Sequence, residues 1–128
     1  MPTEAQIREA VEGYVDSFNK QDREKFAGLF AENVVHYEPV GSTPNRGRDA
    51  VLGFFDGLFD VIDRVEFELK DLIVTGDEAA FVFGITAYKK DGGVVRETGI
   101  DTFKVDDAGL VTEAKGYHDA AHTQVTEA

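Results

Sequence analysis

Near residue 63 the spacing of apolar side chains in this 128-residue chain changes from a helical period to a strand period. Upstream, Ile7, Val11, Tyr14 and Phe18 follow a 4-3-4 spacing, one stripe of a 3.6-residue helix. Val51, Phe54, Phe55, Leu58 and Phe59 form a second such stripe. Downstream, Val65, Phe67 and Leu69 alternate with polar residues at a period of 2. Leu72 and Val74 continue in the opposite phase, which predicts a β-bulge near Lys70-Asp71. Helices first and a run of strands afterwards define an α+β layout, with helices on one face of an antiparallel sheet.

In order, the pattern predicts a helix over 4–20 capped by Thr3. A short helix follows, capped by Asp22, with Phe26, Leu29 and Phe30 facing in. The strand from Val34 has Glu38 at its end and stops at Pro39-Val40-Gly41, because proline has no backbone donor for a ladder. A turn-rich loop over 41–47 and a helix over about 48–60 come next. Strands at about 65–74, 79–88, 94–105 and 110–118 then form a meander, with turns at Thr75–Glu78, Asp91-Gly92-Gly93 and Asp106–Gly109. The tail from Asp119 is small and polar and is expected to fray. No linker divides the chain, so one domain over 1–128 is expected, its bent, mostly antiparallel sheet wrapped around three helices to enclose a cone-shaped apolar cavity.

Charge narrows the partners. A net charge of −12 argues against nucleic acid, whose phosphates need a basic footprint, and against anionic membrane surfaces. The absence of cysteine removes disulfide and thiol chemistry, and with no basic and apolar leader at Met1–Glu4 a cytoplasmic location is expected. The three histidines lack metal-ligand spacing, and His36 has no acidic partner at a set interval, so neither a metal nor a phosphate-cradled cofactor is expected. Ten phenylalanines could fill a core or wall a pocket for a bulky apolar ligand.

Three residues could do chemistry. Glu38 ends a stiff strand among apolar neighbours and is a candidate base. Asp101 shares a strand face with Val95, Glu97, Gly99, Phe103 and Val105, where an ionised carboxylate is disfavoured, so its pKa should rise. A protonated Asp101 would be a hydrogen-bond donor. Tyr14 lies on the buried stripe of the first helix and needs a partner for its hydroxyl. An ionised carboxylate with two neutral donors in an apolar pocket suits proton abstraction beside a ketone, the donors stabilising the enolate oxygen.

Glu12–Asn19, Val34–Pro44 and Ile100–Val105 with Ala108-Gly109 together resemble three segments of the ketosteroid isomerases, in the same order, within the cone-shaped nuclear transport factor 2-like (SnoaL-like) superfamily. That family is itself the standing example of a carboxylic acid kept protonated at neutral pH. The resemblance implies Glu38 as the base, Tyr14 and protonated Asp101 as donors to a dienolate oxygen, no cofactor, a steroid-like apolar ligand and a homodimer. It makes Val40, Phe55, Phe83, Phe103 and His118 candidates for the ligand-contacting wall. The sequence departs from the family pattern in three places: the base is usually aspartate, Phe30 and Phe55 stand where some members have supporting tyrosines, and Tyr117-His118 stands at larger apolar positions. The alternatives are another enzyme of this fold (an epoxide hydrolase, dehydratase or polyketide cyclase) or a non-catalytic apolar-ligand-binding module. An epoxide hydrolase of this kind needs an Asp–Arg–Asp relay, and strand alternation sends Arg96 to the face opposite Asp101.

Overall fold

The computed structural model describes all residues from Met1 to Ala128. Its elements run α1 (Glu4–Lys20), α2 (Arg23–Ala27), β1 (Phe30–Tyr37), β2 (Asn45–Arg46), α3 (Arg48–Val61), β3 (Ile62–Thr75), β4 (Glu78–Lys89), β5 (Val94–Val105), β6 (Val111–Tyr117), a 3-10 turn at Ala120–His122, and β7 (Thr123–Thr126). The strands form one sheet in the order β2-β1-β6-β5-β4-β3, with β7 also pairing with β5. The two hairpins β3–β4 and β4–β5 are long and antiparallel, whereas β1 runs parallel to β6.

Local chemistry sets the helix ends. Thr3 accepts from the Gln6 amide while Gln6 reaches back to the Thr3 amide, a complete capping box on α1. Asp22 caps α2 through the Lys25 amide. The helix α2 is shorter than its apolar spacing suggested: it ends at Gly28, and Phe30 opens β1 instead of closing the helix. The predicted bulge is present as a register shift between Leu69 and Asp71 on β3. The tail does not fray; residues Thr123 to Glu97, Gln124 to Arg96 and Val125 to Val95 pair across β7 and β5. Backbone pairing overrides the polar composition of that tail.

The core lies between the helices and the inner face of the sheet. Ile7, Val11 and Phe18 of α1, Val51 and Phe55 of α3, and Phe81, Phe103 and Val105 of the sheet are almost fully buried. Burying a Phe or Ile side chain contributes about 1.5–3 kcal/mol, so this layer supplies most of the drive to fold. Two side-chain ties fix the helices over the sheet. Asn19 on α1 exchanges two hydrogen bonds with the Phe67 backbone, at 2.9 and 2.7 Å. Arg48 on α3 donates twice to the Phe30 carbonyl. No helix is long and apolar enough to cross a membrane.

Candidate active site

Three adjacent strands, β1, β6 and β5, bring the polar residues of the interior together. Glu38 follows β1 directly, and its bond to Pro39 is cis. The Val40 amide, just beyond, donates to the Gly116 carbonyl on β6 at 2.9 Å. Gly116 pairs in turn with Asp101 on β5, so these two positions share one face of the sheet. The Glu38 carboxylate lies on that face, against Gly116. A β-carbon at position 116 would stand 2.7 and 2.8 Å from its two oxygens and would displace the carboxylate.

Asp101 is 4% exposed, and its Oδ1 has no hydrogen-bond partner within the protein. Burial, then the nearby carboxylates of Glu38 and Glu97, push its pKa well above the usual carboxyl range. The alternation on β5 is as the sequence suggested: Gly99, Asp101, Phe103 and Val105 are buried while Thr98, Ile100 and Lys104 are exposed. Tyr14 is also 4% exposed. Burial first, then Asp101 and Glu38, raise its pKa well above the ordinary phenol value, so the hydroxyl keeps its proton. Five phenylalanine rings pack around the Tyr14 ring, among them Phe18 at 4.9 Å and Phe103 at 5.1 Å.

The surroundings of Glu38 are different. His118 Nε2 lies 2.9 Å from Glu38 Oε1, and His36 Nε2 lies 3.6 Å from Oε2. His118 Nδ1 faces Glu97 Oε2 at 3.8 Å. His36 is 2% exposed, with the Asn45 side-chain amide 3.1 Å from its Nδ1 and the Phe54 ring against it at 5.0 Å. The sequence did hold a signal for this pair. His36 and Glu38 are two apart on a strand, so they face the same way. Glu38 is thus an acidic partner for His36, contrary to the expectation that it has none. Glu97, Phe54 and Asn45 were likewise not singled out as site residues, although Glu97 shares the face of Asp101.

The wall candidates separate into three groups. Phe103 touches both Tyr14 and Phe81, and Phe83 stacks on Phe67 at 4.9 Å. Gly99 leaves room for Phe83, since a β-carbon there would come within 2.7 Å of its ring. Phe55 lies in the contact between helices, against Phe26 at 4.6 Å and Phe59 at 4.9 Å, and belongs to the packed core. Phe30 packs on Phe26 at 4.9 Å, so neither of these two positions brings a hydroxyl toward Tyr14. Val40 is 45% exposed and, with Ile100 and Tyr117, lines a groove of about 470 Å³. His118 reaches both regions, lining that groove while its ring contacts Glu38. Arg96 lines a separate polar groove with Glu66 and Lys70, away from Asp101.

The chain as a whole and its fold have counterparts among known proteins. A profile of the SnoaL-like domain matches residues 11–114. The chain belongs to the SnoaL-like domain family. A steroid Δ-isomerase from Nocardioides simplex is 29% identical over 124 residues, spanning 97% of this chain and 98% of that one. The crystal structure of a Δ5-3-ketosteroid isomerase from a Mycobacterium species superposes with a TM-score of 0.86 at 25% identity, covering 94% of this chain and 98% of that chain. The epoxide hydrolase/cyclase-like enzyme SalBIII, which acts in pyran ring formation in salinomycin, superposes with a TM-score of 0.88 at 21% identity, covering 98% and 100%. The cone-shaped α+β fold is thus common to this SnoaL-like chain and to enzymes of differing chemistry.

Proposed function

We propose that this SnoaL-like protein is a cofactor-independent steroid Δ-isomerase. The observation that carries the reading is the contrast between two carboxyls on one interior face. Asp101 is buried without a partner and held protonated, beside a buried Tyr14 that keeps its proton. Glu38 meets the polar edge of the same face. In a Δ5-3-ketosteroid the proton on C4 is acidified by the C3 ketone and the 5,6 double bond. Glu38 removes that proton, and the electron pair moves onto the ketone oxygen as a dienolate. Tyr14 and Asp101 donate hydrogen bonds to that oxygen as its charge grows, in a site where such donors act more strongly than in water. Protonated Glu38 then returns the proton at C6, the 5,6 double bond becomes a 4,5 double bond, and the carboxylate is regenerated. The likeness to the Nocardioides isomerase over nearly the whole chain supports the substrate class.

Conversion of 5-androstene-3,17-dione to the conjugated ketone, followed by ultraviolet absorbance, tests the reading. Turnover that Glu38→Ala abolishes is the expected result; no turnover by the wild-type protein refutes it. We also propose a homodimer through the outer sheet face, where Ile73, Ile100 and Tyr117 stand 62%, 46% and 45% exposed. Sedimentation equilibrium at micromolar concentration should give twice the 14.1 kDa chain mass.

A further inference from the structure

Glu38 has one more methylene than the aspartate that the resemblance leads one to expect. An arm longer by on the order of 1 Å is a liability in a base, because misplacement of that size can cost about a hundredfold in rate. The structure places an imidazole nitrogen near each of its two oxygens. His118 Nε2 stands at Oε1, at 2.9 Å, and His36 Nε2 stands at Oε2, at 3.6 Å. The second nitrogen of each imidazole also faces a polar side chain. Asn45 Nδ2 donates to His36 Nδ1 at 3.1 Å, which leaves the His36 proton on Nε2, facing Glu38. Glu97 Oε2 stands 3.8 Å from His118 Nδ1. Gly116 closes the floor under the carboxylate, and Phe54 holds the His36 ring edge-on.

We propose that His118 and His36 are positioning residues that clamp the Glu38 carboxylate from its two sides, and that this clamp is built for glutamate. The proposal rests on the isomerase reading for the role of Glu38 as base. The tighter contact is at Oε1, so Oε2, with the longer contact, keeps a lone pair for the substrate proton. The clamp needs the full length of the glutamate arm. An aspartate at position 38 withdraws its oxygens by on the order of 1 Å, enough to break the 2.9 Å contact with His118. The usual residue of the family is therefore the wrong one here.

The test uses variants at position 118, which is part-exposed and spares the core. His118→Phe keeps ring bulk and removes the donor; His118→Gln keeps an N–H close to the Nε2 position. The clamp predicts that His118→Phe lowers kcat by about ten- to a hundredfold with KM within about twofold, and that His118→Gln recovers most of the loss. Glu38→Asp should lose a similar factor. A wild-type kcat in His118→Phe overturns the proposal, and so does a loss that glutamine does not restore, because packing alone would then explain it. If the wild-type protein turns over no ketosteroid, the isomerase reading fails, and imidazole nitrogen NMR decides the clamp separately. The His118 and His36 nitrogen resonances should shift between wild type and Glu38→Asp, with His36 in the Nε2–H tautomer. Unchanged resonances, or the opposite His36 tautomer, overturn it.

Discussion

The interior of this protein has an aromatic end and a polar end, and the same kind of group behaves differently in each. Around Tyr14 pack five phenylalanine rings, and nothing in the protein partners Asp101 Oδ1. At the other end Glu38 is 16% exposed in its side chain and has a histidine near each oxygen. Burial without a donor or cation raises the pKa of a carboxyl, as at Asp101. Two titratable groups of one type with divergent environments are how a single fold assigns donor and base.

The largest effect should come from removing the polar end's carboxylate. Glu38→Ala is expected to cut kcat by about 10²–10⁴-fold, the range of a general base, with the fold retained by circular dichroism. Breaking the aromatic end from the other direction, Phe103→Ala removes a buried ring that touches Tyr14 and should cost about 3–5 kcal/mol in denaturant unfolding. A smaller destabilisation would mean that the aromatic end is loosely packed. Tyr14→Phe should lower kcat by about 10²–10³-fold, the cost of one oxyanion donor. Together with Asp101→Leu it should weaken a phenolic steroid such as equilenin, and an unchanged affinity would sink the oxyanion site while sparing the base.

The smallest effect runs in the opposite sense. Asp101 has a native pKa raised above its unfolded value of about 3.9, so the native state binds a proton that the unfolded chain releases. Its contribution is intact below the unfolded pKa and is lost as pH rises toward the native one. At neutral pH it is therefore a burden, and Asp101→Leu should be more stable than wild type by about 1–3 kcal/mol while losing activity. The gain should shrink below about pH 4, where both states are protonated. Equal stability of the two proteins at pH 7, or a gain that grows as pH falls, would contradict a neutral, unpartnered Asp101.

Much of the frame was legible in the chain itself. The change of period near residue 63, the Thr3 and Asp22 caps and the bulge at Lys70-Asp71 are local signals, and each appears where the residues imply. Asp101 facing inward follows from strand alternation. The misreadings share a cause. Phe30 has helical spacing from Phe26, but Gly28 ends α2 and the β6 partner draws Phe30 into β1. The tail looked too polar to be ordered, but β5 extends past the end of β6 and offers it a free edge.

The sequence by itself determined the elements, the phase of each strand and hence which carboxyl is forced into the apolar layer, because periodicity and capping act over a few residues. Apart from His36, two residues away, it could not determine what surrounds Glu38. That depended on β1 lying parallel to β6, which brings Gly116 and His118 against a residue some eighty positions earlier, and on β5 lying next to β6, which adds Glu97. Strand order is a long-range choice made by the whole core, and no local spacing encodes it. The candidate base and its His36 neighbour were legible from local spacing; His118, with Glu97 behind it, came beside Glu38 only when the sheet closed.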